Sequence, residues 1–208
     1  MIAREAEAAV AARGIFRVAL SGGNTPRPVY EALAASGADF TKWEFTFGDE
    51  RCVPPDSDQS NFKMANDALF ARASVPPQNI LRMQGECDPA GAAAAYEQDL
   101  LARSSPYRHD LILLGMGDDG HTASLFPGTA ALDVVDRLVV ANYVPKFSTW
   151  RLTFTYPLLD AARHVCFLVS SAGKESILQE VFSGTSGLPS AKVAPSGGRV
   201  TWLLGGGA

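Results

Sequence analysis

Between Gly115 and Ser124 the chain reads GMGDDGHTAS, which sets two carboxylates, Asp118 and Asp119, and one imidazole, His121, within a single glycine-rich stretch. An imidazole beside a carboxylate suits proton transfer near neutral pH, because the carboxylate fixes the tautomer and steadies the protonated ring. By spacing, Asp119 is the simplest partner. Two other readings of His121 stay open at this point: a structural histidine satisfied by hydrogen bonds, or, with Asp118 and Asp119, a ligand to a divalent ion. No HExxH motif, second paired histidine or cysteine cluster supports a metal, and none is expected. Ser124 stands in no G-x-S-x-G elbow, which argues against a nucleophilic serine.

Three further stretches carry chemistry. In Ser21–Pro26 (SGGNTP), Gly22, Gly23, Asn24 and Thr25 precede a helix whose start Thr25 can cap and Pro26 suits. Free backbone N–H groups and the positive end of the helix dipole then make an anion site, unless the glycines serve only a tight turn. The stretch is neither a Walker loop nor G-x-G-x-x-G, so no nucleotide is implied. Gly48–Arg51 (GDER) contributes Asp49 and Arg51, with a solvated turn as the alternative. Lys146, Arg151 and Lys174 are cations at further loop positions. An anionic substrate group explains why cations gather in a protein of net charge −4.

The elements that must position these groups alternate. The apolar run from Asp110 to Gly115 suits a strand buried on both faces of a parallel sheet. Before it, the patterns predict a helix over 2–13 stopped by Gly14, a strand over 16–20, a helix over 26–35 and a strand over 43–47. Next come a helix capped by Ser60 and running to Arg72, a weak strand over 79–83, and a helix over 89–103. After it come a strand over 137–144 and a strand from Arg151 with Leu152, Phe154 and Tyr156 on its buried face. A strand over 164–170, a helix over 174–182 and a closing strand over 199–204 complete the pattern. This alternation predicts an α/β fold: a doubly wound, mainly parallel, Rossmann-like sheet with helices on both faces. SGGNTP, GDER, GDDGHTAS and SAGK (171–174) each follow a strand, so all four fall on the edge where such sheets bind ligands.

Composition narrows the class. The 208 residues, 47% hydrophobic and 19% charged, fit one soluble globular domain, and the acidic balance argues against nucleic acid as partner. Three widely spaced cysteines suggest a reducing compartment. The first fourteen residues lack the apolar core of a signal peptide, and no run reaches transmembrane length, so a cytoplasmic protein without membrane contact is expected.

Taken in order, SGGNTPRPVYEAL, GDERCVPPDSDQSN, LLGMGDDGHTASLFPG, VPK with RLTFTYPLLDAAR, SAGKES and LPSAKVAP resemble the successive signatures of 6-phosphogluconolactonases, from about residue 15 to the C-terminus. The wider group, similar in fold, includes glucosamine-6-phosphate deaminases and the sugar-sensing domains of some bacterial regulators. The resemblance implies hydrolysis of 6-phospho-D-glucono-1,5-lactone to 6-phosphogluconate. His121 would activate water and Asp119 would support it. Gly22, Gly23, Asn24 and Thr25 would line the sugar-phosphate pocket, with Asp49, Arg51, Lys146, Arg151 and Lys174 as further substrate contacts. It implies no cofactor, a small sugar-phosphate lactone as partner, and a monomer or weak homo-oligomer. A deaminase would use Asp49 as base and follow its DGH with F-N-E-P, where this chain has Leu125-Phe126-Pro127-Gly128. A non-catalytic phosphosugar sensor would keep the glycines and cations and could dispense with His121. Family members generally begin with a further strand. The resemblance therefore implies a single lactonase domain over 1–208 without that strand, the 16–20 strand losing a neighbour.

Overall fold

The computed structural model describes residues 1–206. In chain order its elements are α1 (Ile2–Arg13), β1 (Phe16–Leu20), α2 (Arg27–Ala34), β2 (Trp43–Phe47), β3 (Asp49–Arg51), α3 (Asn61–Ala65) and α4 (Pro89–Arg103). They continue with β4 (Leu111–Leu114), β5 (Val139–Val144), β6 (Thr149–Phe154), α5 (Tyr156–Ala161), β7 (His164–Ser170), α6 (Glu175–Val181) and β8 (Arg199–Gly205). Five strands form a sheet in the order β2-β1-β4-β7-β8, every neighbouring pair parallel.

The two-residue period of the central strands divides the interior into two cores. Leu111 and Leu113 of β4 and Cys166 and Leu168 of β7 face a core closed by α1, α2 and α3, with Tyr30, Phe45 and Phe70 at its centre. Ile112, Leu114, Val165, Phe167 and Val169 face the other way, onto Tyr96 and Leu100 of α4, Leu158 and Leu159 of α5 and Leu178 of α6. Helices therefore cover both faces, as the doubly wound reading requires. Caps set the helix ends: the Asp88 side chain accepts from Gly91 N–H at 2.8 Å to start α4, and Gly14 closes α1 at φ +76° with its N–H on Val10 O.

Several expectations need correction. Strands β3, β6 and β5 leave the main sheet and form an antiparallel sheet of their own. Its buried Val139, Leu152 and Phe154 pack in the second core. Strand β6 stops at Phe154, and Tyr156 opens α5 because Pro157 suits a first helical turn. Residues 79–83 make only one bridge, Ile80 to Phe45; the Leu81 carbonyl that would extend a ladder accepts from Tyr96 Oη instead. Thr25 is not a cap: α2 begins after Pro26 without side-chain capping. Beyond α3 the chain widens into a π-helical turn over Asn66–Phe70 rather than running as one α-helix to Arg72. Strand β1 has neighbours on both sides, β2 and β4, and the open edges are β2 and β8. No helix among the described residues is long and apolar enough to cross a membrane.

Leu113 is fully buried in the middle of the sheet. Leu113→Ala should cost about 2–5 kcal/mol, read as a lowered urea midpoint with an unchanged denaturant slope. A midpoint within error of the parent would contradict this packing.

Candidate active site

Strand β4 delivers the chain into a loop held almost entirely by its own backbone. Gly117 N–H donates to His121 O at 2.9 Å and Gly120 N–H to Gly117 O at 3.0 Å, while Thr122 Oγ1 donates to Gly115 O at 2.8 Å. Gly120 sits at φ +73°. A Cβ on Gly117 would lie 2.0 Å from His121 Cε1, so only glycine lets the ring occupy its position. The imidazole stacks on Phe126, with centroids 3.9 Å apart and planes 22° from parallel. His121 Nδ1 meets Asp119 Oδ1 at 2.5 Å, which assigns the ring proton to Nδ1 and leaves Nε2 as the basic nitrogen.

Asp119 uses both oxygens, since Lys146 Nζ donates to Oδ2 at 2.7 Å. Burial raises the Asp119 pKa, but the hydrogen bonds from Lys146 and His121 outweigh it and hold the carboxyl well below the usual range. Asp118 is turned away, largely exposed and 3.3 Å from Lys174 Nζ. No group of three His, Cys, Asp or Glu side chains among the described residues could hold a metal ion. The other histidines lie elsewhere: His109 is fully buried, with Nε2 2.8 Å from Thr46 Oγ1, and burial lowers its pKa to about 3.

His121 opens onto a cavity of about 520 Å³ at the strand C-terminal edge, with Gly22, Gly23 and Thr25 on one wall and Arg51, Arg151 and Lys174 as its cations. Asn24 faces an adjoining hollow with Arg27, Asp58 and Lys63. Lys174 Nζ also donates to Met116 O at 2.5 Å. Arg51 and Arg151 are direct cross-strand partners on β3 and β6, and the Arg51 guanidinium donates to Gln59 O. Like charges set opposite one another repel, and Arg151 Nε is buried without a partner. Burial, then Arg51, lowers the Arg151 pKa. The pair therefore concentrates positive charge on one wall of the cavity.

Asp49 also lines the cavity, but both its oxygens are engaged: Oδ1 accepts from Asn61 Nδ2 at 3.1 Å and Oδ2 from Ser124 Oγ at 2.6 Å. Asn61 and Ser124 went unassigned in the sequence, as did Phe126 and Phe147, which also line the cavity. Asn61 is placed by Glu50, whose carboxylate accepts from Asn61 N–H, Phe62 N–H and Ser60 Oγ at the start of α3. It presses so close to Gly22 that a Cβ there would sit 1.8 Å from its Oδ1. Asn61 lies inside the GDERCVPPDSDQSN stretch, Ser124 and Phe126 inside LLGMGDDGHTASLFPG and Phe147 directly after VPK, but residue type alone assigns none of them a role.

The model of the family described as glucosamine-6-phosphate isomerases/6-phosphogluconolactonase matches residues 1–202. The chain belongs to this family. Among curated relatives, it is 42% identical to a 6-phosphogluconolactonase of Nostoc sp. over 98% of this chain and 88% of that protein. With a 6-phosphogluconolactonase of Synechocystis sp. the figures are 44%, 94% and 84%. Among solved structures, a 6-phosphogluconolactonase from Thermotoga maritima superposes with a TM-score of 0.88 at 33% identity, covering 98% of this chain and 91% of that one. The α/β fold is the family's.

Because the folded-state Asp119 carboxyl binds its proton less tightly than it does in the unfolded chain, the stabilisation it provides is present above the ordinary aspartate pKa of about 4. That stabilisation is lost as pH falls below this value. The melting-temperature difference between the parent and Asp119→Asn should shrink between neutral pH and pH ~3. A difference that stays constant over the range would remove Asp119 from the ionised state assigned to it.

Proposed function

We propose that the protein is a 6-phosphogluconolactonase, opening 6-phospho-D-glucono-1,5-lactone to 6-phosphogluconate in the oxidative pentose phosphate pathway, with His121 as general base. One observation carries the reading: the Arg51–Arg151 cross-strand pair, with Arg151 Nε unpartnered, lines the same cavity as His121. Such a cavity takes a small molecule with an anion at one end and a group awaiting a nucleophile at the other. The names of the similar proteins agree with that substrate class.

In the proposed reaction His121 Nε2 removes a proton from water as the water oxygen attacks the lactone carbonyl carbon. The tetrahedral intermediate then collapses with cleavage of the bond to the ring oxygen, and that oxygen takes the proton back from the imidazolium. Asp119 holds the tautomer and offsets the transient positive charge. Arg51, Arg151 and Lys174 bind the phosphate, and Gly22, Gly23 and Thr25 form the wall beside it. The balance needs only water, and no redox or nucleotide cofactor enters.

Isomerisation with deamination is the weaker reading. Asp49 would have to act as the base, whereas Asn61 and Ser124 each already donate to one of its oxygens. At the segment where a deaminase carries its glutamate, Phe126 covers the face of the imidazole.

His121→Ala should lower turnover of freshly generated 6-phosphogluconolactone by roughly 10²–10⁴. Near-normal rates after subtraction of spontaneous hydrolysis would sink the assignment, as would ammonia release from glucosamine 6-phosphate without lactone turnover. Arg151→Ala should mainly raise KM, because a phosphate contact is made in ground and transition states alike. An unaltered KM would take Arg151 out of the phosphate site.

A further inference from the structure

Lys146 is grouped by sequence with the substrate-binding cations, yet its surroundings set it apart. The cavity walls include Arg51, Arg151 and Lys174 but not Lys146. Its ammonium sits 2.7 Å from Asp119 Oδ2, on the carboxylate whose other oxygen holds His121 Nδ1. We infer that Lys146 is a positioning residue, acting on His121 through Asp119 without touching the substrate. The inference rests on the reading of His121 as base.

A carboxylate held at one oxygen can pivot about that contact and carry the imidazole with it. Held at both, it has a fixed plane and fixes the ring's in turn. The hairpin between β5 and β6 makes the second hold possible. Its tip is a single 3₁₀ turn, Pro145–Phe147, closed by Ser148 in the left-handed region at φ +49°. Phe147, next to Lys146, packs edge-on against Phe126 with centroids 5.7 Å apart, and Phe126 stacks on His121. One hairpin tip thus braces the imidazole along its edge through Asp119 and across its face through Phe126.

Global stability gives Lys146 little reason to be there. Its side chain is 54% exposed, and ion pairs so open to water contribute little to folding. Its ammonium is already engaged on Asp119, a contact that opposes burial in keeping that carboxyl ionised.

The test compares Lys146→Met and Lys146→Arg with the parent enzyme. For Lys146→Met, kcat should fall roughly tenfold, less than the ~10² that a 1 Å misplacement of a reacting group can cost. KM and competitive inhibition by inorganic phosphate should not move, the urea midpoint should fall only slightly, and Lys146→Arg should recover most of the loss. In substrate-free protein the downfield Nδ1–H proton resonance, assigned to His121 by its absence in His121→Ala, should broaden in Lys146→Met and return in Lys146→Arg. A raised KM with weaker phosphate inhibition at constant kcat would make Lys146 a substrate ligand and overturn the inference. Unchanged kcat with an unchanged resonance would overturn it too. The resonance needs no turnover: if His121→Ala stays active while the signal responds to Lys146, the base assignment fails and the coupling stands.

Discussion

The constraint on which the site depends is the approach of His121 to the backbone at Gly117, where a Cβ would lie 2.0 Å from the imidazole. The ring is placed by the absence of a side chain, and the loop around it has to keep that space open. Internal hydrogen bonds from Gly117, Gly120 and Thr122 do so, and the segment after α6 adds a brace, with Ser190 N–H donating to Gly120 O. A Cβ at Gly120 would collide with Leu188. Two glycines therefore admit close neighbours on two sides of one loop, and the buried strand β4 anchors its start. An imidazole so fixed has little orientational freedom left to lose when a reaction begins, which is the benefit of preorganisation.

The second determinant is the small antiparallel sheet. A protein of net charge −4 has to concentrate positive charge locally to hold an anion. Strands β3 and β6 achieve this through register: Arg51 is the direct cross-strand partner of Arg151, and their mutual repulsion is offset in part by Asp49 and Glu50. The same pairing places Asp49 opposite Thr153, and Thr153 Oγ1 accepts from Ser124 N–H at 3.1 Å. The arginine-bearing side and the imidazole-bearing side are thus joined by buried hydrogen bonds, whose satisfied polar groups make a rigid floor.

Much of this was legible in the sequence, for identifiable reasons. Strands β1, β2, β4 and β7 are short apolar runs ending in glycine or polar turns, and α4 carries both a capping Asp88 and Pro89 at its first position. These are local signals, and they located the sheet edge and the cavity-lining Gly22, Gly23, Thr25, Arg51, His121 and Lys174. Pairing between distant strands is not local. The segment from Arg151 reads equally well as part of the main sheet, and only the antiparallel ladder with β5 and β3 removes it. The same limit applies within the site. Residue type marked Lys146 as a cation, but its partner depends on where a hairpin tip 27 residues beyond Asp119 comes to rest. Asn61 and Phe126 matter through contacts that their own segments do not encode.

The site's chemistry turns on which groups around the imidazole are left unsatisfied. Moving a proton between two carbons of a sugar needs a second base with a free lone pair on the substrate side. Hydrolysing a lactone needs one base, water and a held anion. Asp49 is held at both oxygens by neutral donors, Asn61 and Ser124, which fixes its orientation. Phe126 replaces any acid against the ring face with a surface that fixes orientation and exchanges no proton. Arg151 Nε, by contrast, lacks the partner that a buried donor requires. Of the cavity-lining side chains, Arg151 Nε and Ser21 Oγ are the buried polar atoms left without a partner, and under the proposed function a phosphorylated lactone would bring the negative charge and acceptor atoms that meet them.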